Sequence, residues 1–142
     1  MEETSKVGTI NKDTVVNVEK ALAQLNKHIF TYYPSSKKVV LSRYEMERMG
    51  GMGEITDIKE SEFYNMIIEK NHLLKMFEAV DLGTECISKE FSTLQNQMFR
   101  ISMCTISYDD NHKPLCTVGL FEYIEDDSKL NNIVSALIYN FN

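Results

Sequence analysis

Residues 97–124 read QMFRISMCTISYDDNHKPLCTVGLFEYI. Phe99, Ile101, Met103 and Thr105 fall on alternate positions, with Arg100 and Ser102 between them. A period of two marks a strand with one buried face. The run Asp109-Asp110-Asn111-His112-Lys113-Pro114 is rich in turn formers. Leu115 to Ile124 is a second apolar strand containing Gly119. Two strands joined by a short polar turn predict an antiparallel hairpin. The residues before it read as material packed against this hairpin, and those after it as a helix that leaves it.

The bulk numbers bound the class. A chain of 142 residues, 43% hydrophobic and 25% charged, has the length and composition of one globular domain with a sizeable core. Its net charge of −6 argues against a nucleic-acid surface or an acidic membrane surface. No apolar run approaches the roughly 20 residues that span a bilayer, and MEETSKVGTINKDT at the start has no signal-peptide core. Cys86, Cys104 and Cys116 form no CxxC pair. That favours a reducing cytoplasm over a disulfide scaffold. Cys104 and Cys116 are the two that the hairpin would bring face to face, as small buried side chains or as a redox pair.

Upstream, residues to Lys12 read as a tail. Asp13 or Thr14 caps a helix to about Asn26, with an apolar stripe of Val15, Val18, Leu22 and Leu25. That stripe serves either its own domain or a partner helix. His28–Tyr33 and Lys38–Ser42 read as strands around a Pro34–Lys37 turn, and Arg43–Met49 as a short helix. The cluster Gly50-Gly51-Met52-Gly53 lacks the lysine and hydroxyl residue of a phosphate loop and reads as a flexible connection. Ser61–Glu69 is a short helix. Asn71 caps a longer one over His72 to about Leu82, with a buried stripe of Leu73, Leu74, Phe77 and Val80, and Gly83 terminates it. Glu85–Gln95 returns to strand. Beyond Ile124, an acidic start at Glu125-Asp126-Asp127-Ser128 leads into Leu130, Ile133, Val134, Leu137, Ile138 and Phe141, the clearest helical periodicity in the chain. The sequence stops inside that pattern, which predicts a segment of a longer protein.

The order helix, two strands, short helices, longer helix, three strands resembles the PAS sensor domain family, in particular its third sequence subtype. Ile29-Phe30-Thr31-Tyr32-Tyr33-Pro34 is similar to that family's opening strand and turn, and Leu41-Ser42 to the next piece. Ile67-Ile68 and Leu82-Gly83-Thr84-Glu85 flank the longer helix with the family's spacing, and Ser88-Lys89-Glu90-Phe91 resembles its fourth strand. Met98-Phe99-Arg100-Ile101, Asp109 to Pro114 and Val118-Gly119 resemble the fifth strand, final turn and last strand. The resemblance covers residues 27–125. Three positions depart from the family. Ser92 stands where an arginine is frequent, Tyr33 where an aspartate is frequent, and Tyr123-Ile124-Glu125 where Asp-Ile-Thr usually ends the last strand. The last departure removes the acid usually implicated in coupling the core to the output helix.

The resemblance implies an α+β PAS fold, with a five-stranded antiparallel sheet, short helices on one face, and flanking terminal helices over 1–26 and 126–142. It implies a non-catalytic, cytoplasmic sensor in a larger bacterial signalling protein. Such a sensor couples through its C-terminal helix to a diguanylate cyclase, a cyclic-di-nucleotide phosphodiesterase or a histidine kinase. No Gly-x-Ser-x-Gly, metal-spaced histidine pair or phosphate loop argues for an enzyme. The expected pocket comprises Phe30, Tyr32, Met46, Met49, Phe63, Ile67, Leu74, Phe77, Phe91, Met103 and Phe121, with Tyr32 and Thr105 as polar anchors. No cofactor is identified. Flavin photochemistry is disfavoured because no cysteine sits in the family's Asn-Cys-Arg-Phe-Leu context. His72 is the single candidate haem ligand, placed on the longer helix before Gly83. The alternative is a ligand-free module that homodimerises through helices 13–26 and 128–141.

Overall fold

The computed structural model describes residues 12–48, 53–124 and 137–138. The expected N-terminal tail, Met49, the first three residues of the glycine cluster and most of the helix over 128–141 lie outside them; Leu137 and Ile138 are helical and exposed.

The chain runs α1 (Lys12–Gln24), β1 (Lys27–Tyr33), β2 (Lys38–Leu41), α2 (Arg43–Arg48), β3 (Glu54–Ile55), a 3₁₀ turn (Ile58–Glu60), α3 (Glu62–Met66), α4 (Lys70–Asp81), β4 (Cys86–Ser92), β5 (Met98–Tyr108) and β6 (Pro114–Ile124). Among the described residues the sheet has six strands in the order β3-β2-β1-β6-β5-β4, and every pairing is antiparallel. The expected five strands are all present. The sixth is the two-residue β3, which pairs Val39 with Ile55 and is too short to leave a periodic signal.

The β5–β6 hairpin forms where the alternation places it. Phe99, Ile101, Met103 and Thr105 are all buried. Its turn is closed by Asp109, whose Oδ1 accepts from the amides of Asn111 (2.8 Å) and Lys113 (2.9 Å). His112 takes the left-handed conformation there, at φ 64°. A bulge near Ser107 shifts the register and leaves Ile106 64% exposed. The opposite end of the outer face carries charge pairs, Arg100 to Glu90 (2.9 Å) and to Glu122 (3.6 Å).

Helix α4 lies on the inner face through Leu73, Met76, Phe77 and Val80. Met76, at i+3 from Leu73, takes the fully buried place expected of Leu74, which is half-buried. Gly83, at φ 106°, ends the helix: its amide bonds Val80 O (3.0 Å), and the Thr84 amide bonds Ala79 O (2.9 Å). This is the left-handed terminator expected there.

The start of α4 differs from expectation. Asn71 is inside the helix, and the N-cap is Glu69, whose side chain makes no capping bond. That carboxylate is committed elsewhere, to the Ser92 amide (2.9 Å) and hydroxyl (2.5 Å). Ser92, at the end of β4, is thus held by an acid from the helix side. Burial pushes the Glu69 carboxyl up, and the Ser92 bonds outweigh it, leaving the group below its ordinary pKa. A lowered carboxyl contributes stability that is present above the unfolded pKa and lost as pH falls through the folded one. Glu69→Gln is therefore expected to destabilise the protein more at pH 7 than at pH 3. Urea unfolding of both proteins at the two pH values checks this, and an equal gap at both contradicts it.

The cysteine expectation is corrected. Cys104 faces Val118 on β6, and Cys116 lies past the bulge opposite Ser107. The partner of Cys104 is Cys86 on β4. The bond from the Thr105 amide to Glu85 O (2.8 Å) makes the next pair a non-hydrogen-bonded one, where strands approach most closely. The two Cα atoms are 4.2 Å apart and the sulfurs form a disulfide, while Cys116 is free. The bridge joins residues 18 apart, so reduction is expected to cost about 3 kcal/mol. Denaturant titration with and without reductant measures the cost, and Cys86→Ser should remove the difference.

Candidate functional site

An apolar cavity of about 240 Å³ lies between the inner sheet face and the short helices. Phe30, Val39, Leu41, Ile55, Ile101 and Phe121 line it from the sheet. Ile58, Phe63, Leu73 and Phe77 close it from the helical side. The Phe63 ring meets Phe121 edge-on at 4.8 Å and Phe99 at 5.6 Å, which fixes one wall.

Phe30 can enter this wall because its partner on β6 is Gly119. A Cβ at Gly119 would sit 2.0 Å from the tip of the Phe30 ring. The Phe30 ring therefore lies over bare backbone.

Polar side chains reach the cavity at three places, His28, Glu45 and Ser61. His28 Nδ1 donates to the Glu45 carboxylate at 2.8 Å, and Glu45 is buried. The Ser42 hydroxyl caps α2 by accepting from the Glu45 amide at 3.2 Å, which holds Glu45 over the start of β1. Ser61 caps α3: its Oγ accepts from the Tyr64 amide (3.0 Å) and donates to Ile58 O (2.7 Å).

A second, more polar cleft of about 370 Å³ lies on the far side of Ile58 and Phe77. Tyr32, Lys37, Asp57, Leu74 and Asp81 line part of it. The Tyr32 hydroxyl donates to Asp81 at 2.7 Å, and Lys37 pairs with the same carboxylate at 2.5 Å. Burial, and then the bond to and charge of Asp81, push the phenol well above its ordinary pKa. Tyr32 therefore remains a neutral donor.

Of the residues expected to form the pocket, Phe30, Phe63, Phe77 and Phe121 do line the cavity. Tyr32 and Leu74 face the second cleft instead. Ile67, Phe91 and Met103 are completely buried in the core and line neither. Met46 lies on α2, its side chain outside what is described, and Met49 is outside the described residues. Neither expected polar anchor serves the cavity, because Tyr32 is engaged by Asp81 and Thr105 bonds Thr117 at 2.9 Å within the core. Ile101 was available from the alternation that placed Phe99 and Met103. Glu45 had no local signal, since it meets His28 across 17 positions of sequence.

A buried haem does not fit. His72 is exposed in the first turn of α4 and lines neither cavity. The apolar cavity is also below the roughly 300–1,000 Å³ of pockets for drug-sized ligands. Among the described residues no group of three or more His, Cys, Asp or Glu side chains is arranged for a metal, and no helix is long and apolar enough to cross a membrane.

With the sheet order and helix placement known, the chain can be compared with solved structures. The PAS domain of BvgS from Bordetella pertussis superposes with a TM-score of 0.53 at 10% identity, covering 91% of this chain and 99% of that one. The chain has the PAS fold. A sensory box histidine kinase structure from Vibrio cholerae matches with a TM-score of 0.50 at 7% identity, over 89% of this chain and 99% of that one. No protein-family model matches the chain, and no curated protein matches it in sequence. Within this PAS fold, the cavity occupies the space between the inner sheet face and the helices.

Gly119→Ala tests how this wall is built. It should destabilise the protein by about 1–3 kcal/mol through overpacking and drive the Phe30 ring into the cavity. Thermal unfolding measures the first effect and a crystal structure of the variant the second.

Proposed function

We propose that the chain is a non-catalytic PAS sensory module, with its sensory unit over residues 27–125. A small molecule enters the apolar cavity, the sheet and the helices shift around it, and the change passes through the C-terminal helix to an output domain. Such an output domain would be a diguanylate cyclase, a cyclic-di-nucleotide phosphodiesterase or a histidine kinase in a larger bacterial protein.

The observation that carries this reading is the cavity itself. Well-packed interiors hold few voids larger than a water molecule, yet this one has about 240 Å³ of space walled by both the sheet and the short helices. β6 forms part of its floor through Phe121 and runs directly to Ile124, after which the predicted output helix begins. A ligand pressing on Phe121 thus acts on the strand that leads out of the domain. A sensor box in a histidine kinase from Vibrio cholerae shares the architecture, and this supports placing the chain in a signalling role. Cytoplasmic residence is part of the proposal, and the Cys86–Cys104 disulfide counts against it, because a reducing compartment would hold both thiols reduced.

A second reading, a ligand-free homodimer, is favoured by one observation. Val18 and Leu25, two residues of the expected α1 stripe, are 53% and 68% exposed. This leaves that face open to a partner helix.

A thermal-shift screen of small ring compounds, read beside native mass spectrometry, separates the two. The sensor reading predicts that compounds of about ten heavy atoms raise the melting temperature by mass action, and that Ile101→Phe, which fills the cavity, abolishes the shift. A stable dimer whose melting temperature no compound moves would overturn it in favour of the second reading.

A further inference from the structure

We propose that His28, oriented by Glu45, is the polar anchor of the apolar cavity, and that the cavity takes a small neutral ring compound carrying one hydrogen-bond donor, of the phenol class. The inference rests on the sensory reading above and specifies its ligand.

Size comes first. An apolar cavity of about 150 Å³ accepts benzene, so about 240 Å³ accommodates one ring with one or two small substituents. The wall chemistry agrees. Phe63 and Phe121 stand perpendicular to each other at 4.8 Å, and offer one ring face and one ring edge to a guest ring.

Polarity narrows the class further. Of the three polar side chains at the wall, Ser61 has its hydroxyl committed as both donor and acceptor in the α3 cap. Glu45 is buried and bonded to His28. His28 remains. Its Nδ1–H is held by the carboxylate, which in the neutral imidazole sets the tautomer and leaves the Nε2 lone pair as an acceptor. Among the described residues the His28 side chain makes no other hydrogen bond. Its ring stands on the inner sheet face opposite Phe121, with ring centroids 6.1 Å apart. The guest must therefore bring a donor to this nitrogen.

Charge excludes the alternatives. An anionic guest would meet the Glu45 carboxylate across the imidazole in a low-dielectric site. A cationic amine would lose its hydration to a wall that is otherwise hydrocarbon. A neutral hydroxyl suffers neither cost.

The test compares 4-methylphenol, 1,4-dimethylbenzene and 4-methylbenzoate, three rings of similar shape, by thermal shift and calorimetry at pH 7. The phenol should bind the wild-type protein roughly five- to tenfold more tightly than the hydrocarbon, the advantage of one net hydrogen bond. The benzoate should bind more weakly than either. His28→Phe should keep hydrocarbon binding and lose the preference for the phenol. As a readout that needs no variant, the His28 Nε2 nitrogen resonance should move on addition of the phenol and stay fixed with the hydrocarbon. Equal binding of phenol and hydrocarbon to the wild type, or a preference that survives His28→Phe, overturns the anchor while leaving the sensory cavity standing. Binding of neither ring overturns both.

Discussion

The sheet depends on one long-range contact, the antiparallel seam between β1 and β6. It joins the first strand of the described fold to the last, from Lys27 opposite Glu122 to Tyr32 opposite Thr117. Without it the β1–β2–β3 half and the β4–β5–β6 half would be separate pieces, each with an open edge. Phe30 sits at the middle of the seam over Gly119. The absence of a side chain on β6 lets a large ring from β1 lie flat against the sheet, where it meets the helices. That same ring lines the cavity. The contact that closes the fold therefore also shapes the site.

The helical layer is fixed to the sheet by polar contacts at its ends as well as by the apolar face of α4. Glu69 ties the entry of α4 to Ser92 at the end of β4. Asp81 ties its exit to Tyr32 and Lys37 around β1. Glu45 ties α2 to His28. Between these ends Leu73, Met76, Phe77 and Val80 pack on the sheet, while Ile58 and Phe63 of the short segments wall the cavity.

Local patterns made the strands and the main helix legible. The alternation Phe99-Ile101-Met103-Thr105, the turn formers from Asp109 and the glycine after Leu82 each act over a few residues, and each forms as read. The same holds for Phe30, Phe63, Phe77 and Phe121, aromatic residues on inward positions. What escaped reading depends on register between distant strands. Cys86 meets Cys104 because β4 aligns with β5 over seven pairs, and no spacing in the sequence announces that alignment. Tyr32 and Thr105 looked like free anchors because Asp81 and Thr117 lie 49 and 12 positions away. Asn71 looked like a cap by residue type, yet the helix begins at Lys70, two residues before the expected start at His72.

Xenon-pressure NMR with labelled methyl groups tests the central claim, that an accessible apolar cavity separates the sheet from the short helices, because xenon enters dry apolar cavities without needing a polar partner. The account predicts that the methyl resonances of Leu41, Ile55, Leu73 and Ile101 move with xenon pressure in a saturable way, while those of Val80 in the close-packed core and Leu25 on the surface stay in place. Uniformly small, linear shifts at all six residues would contradict it.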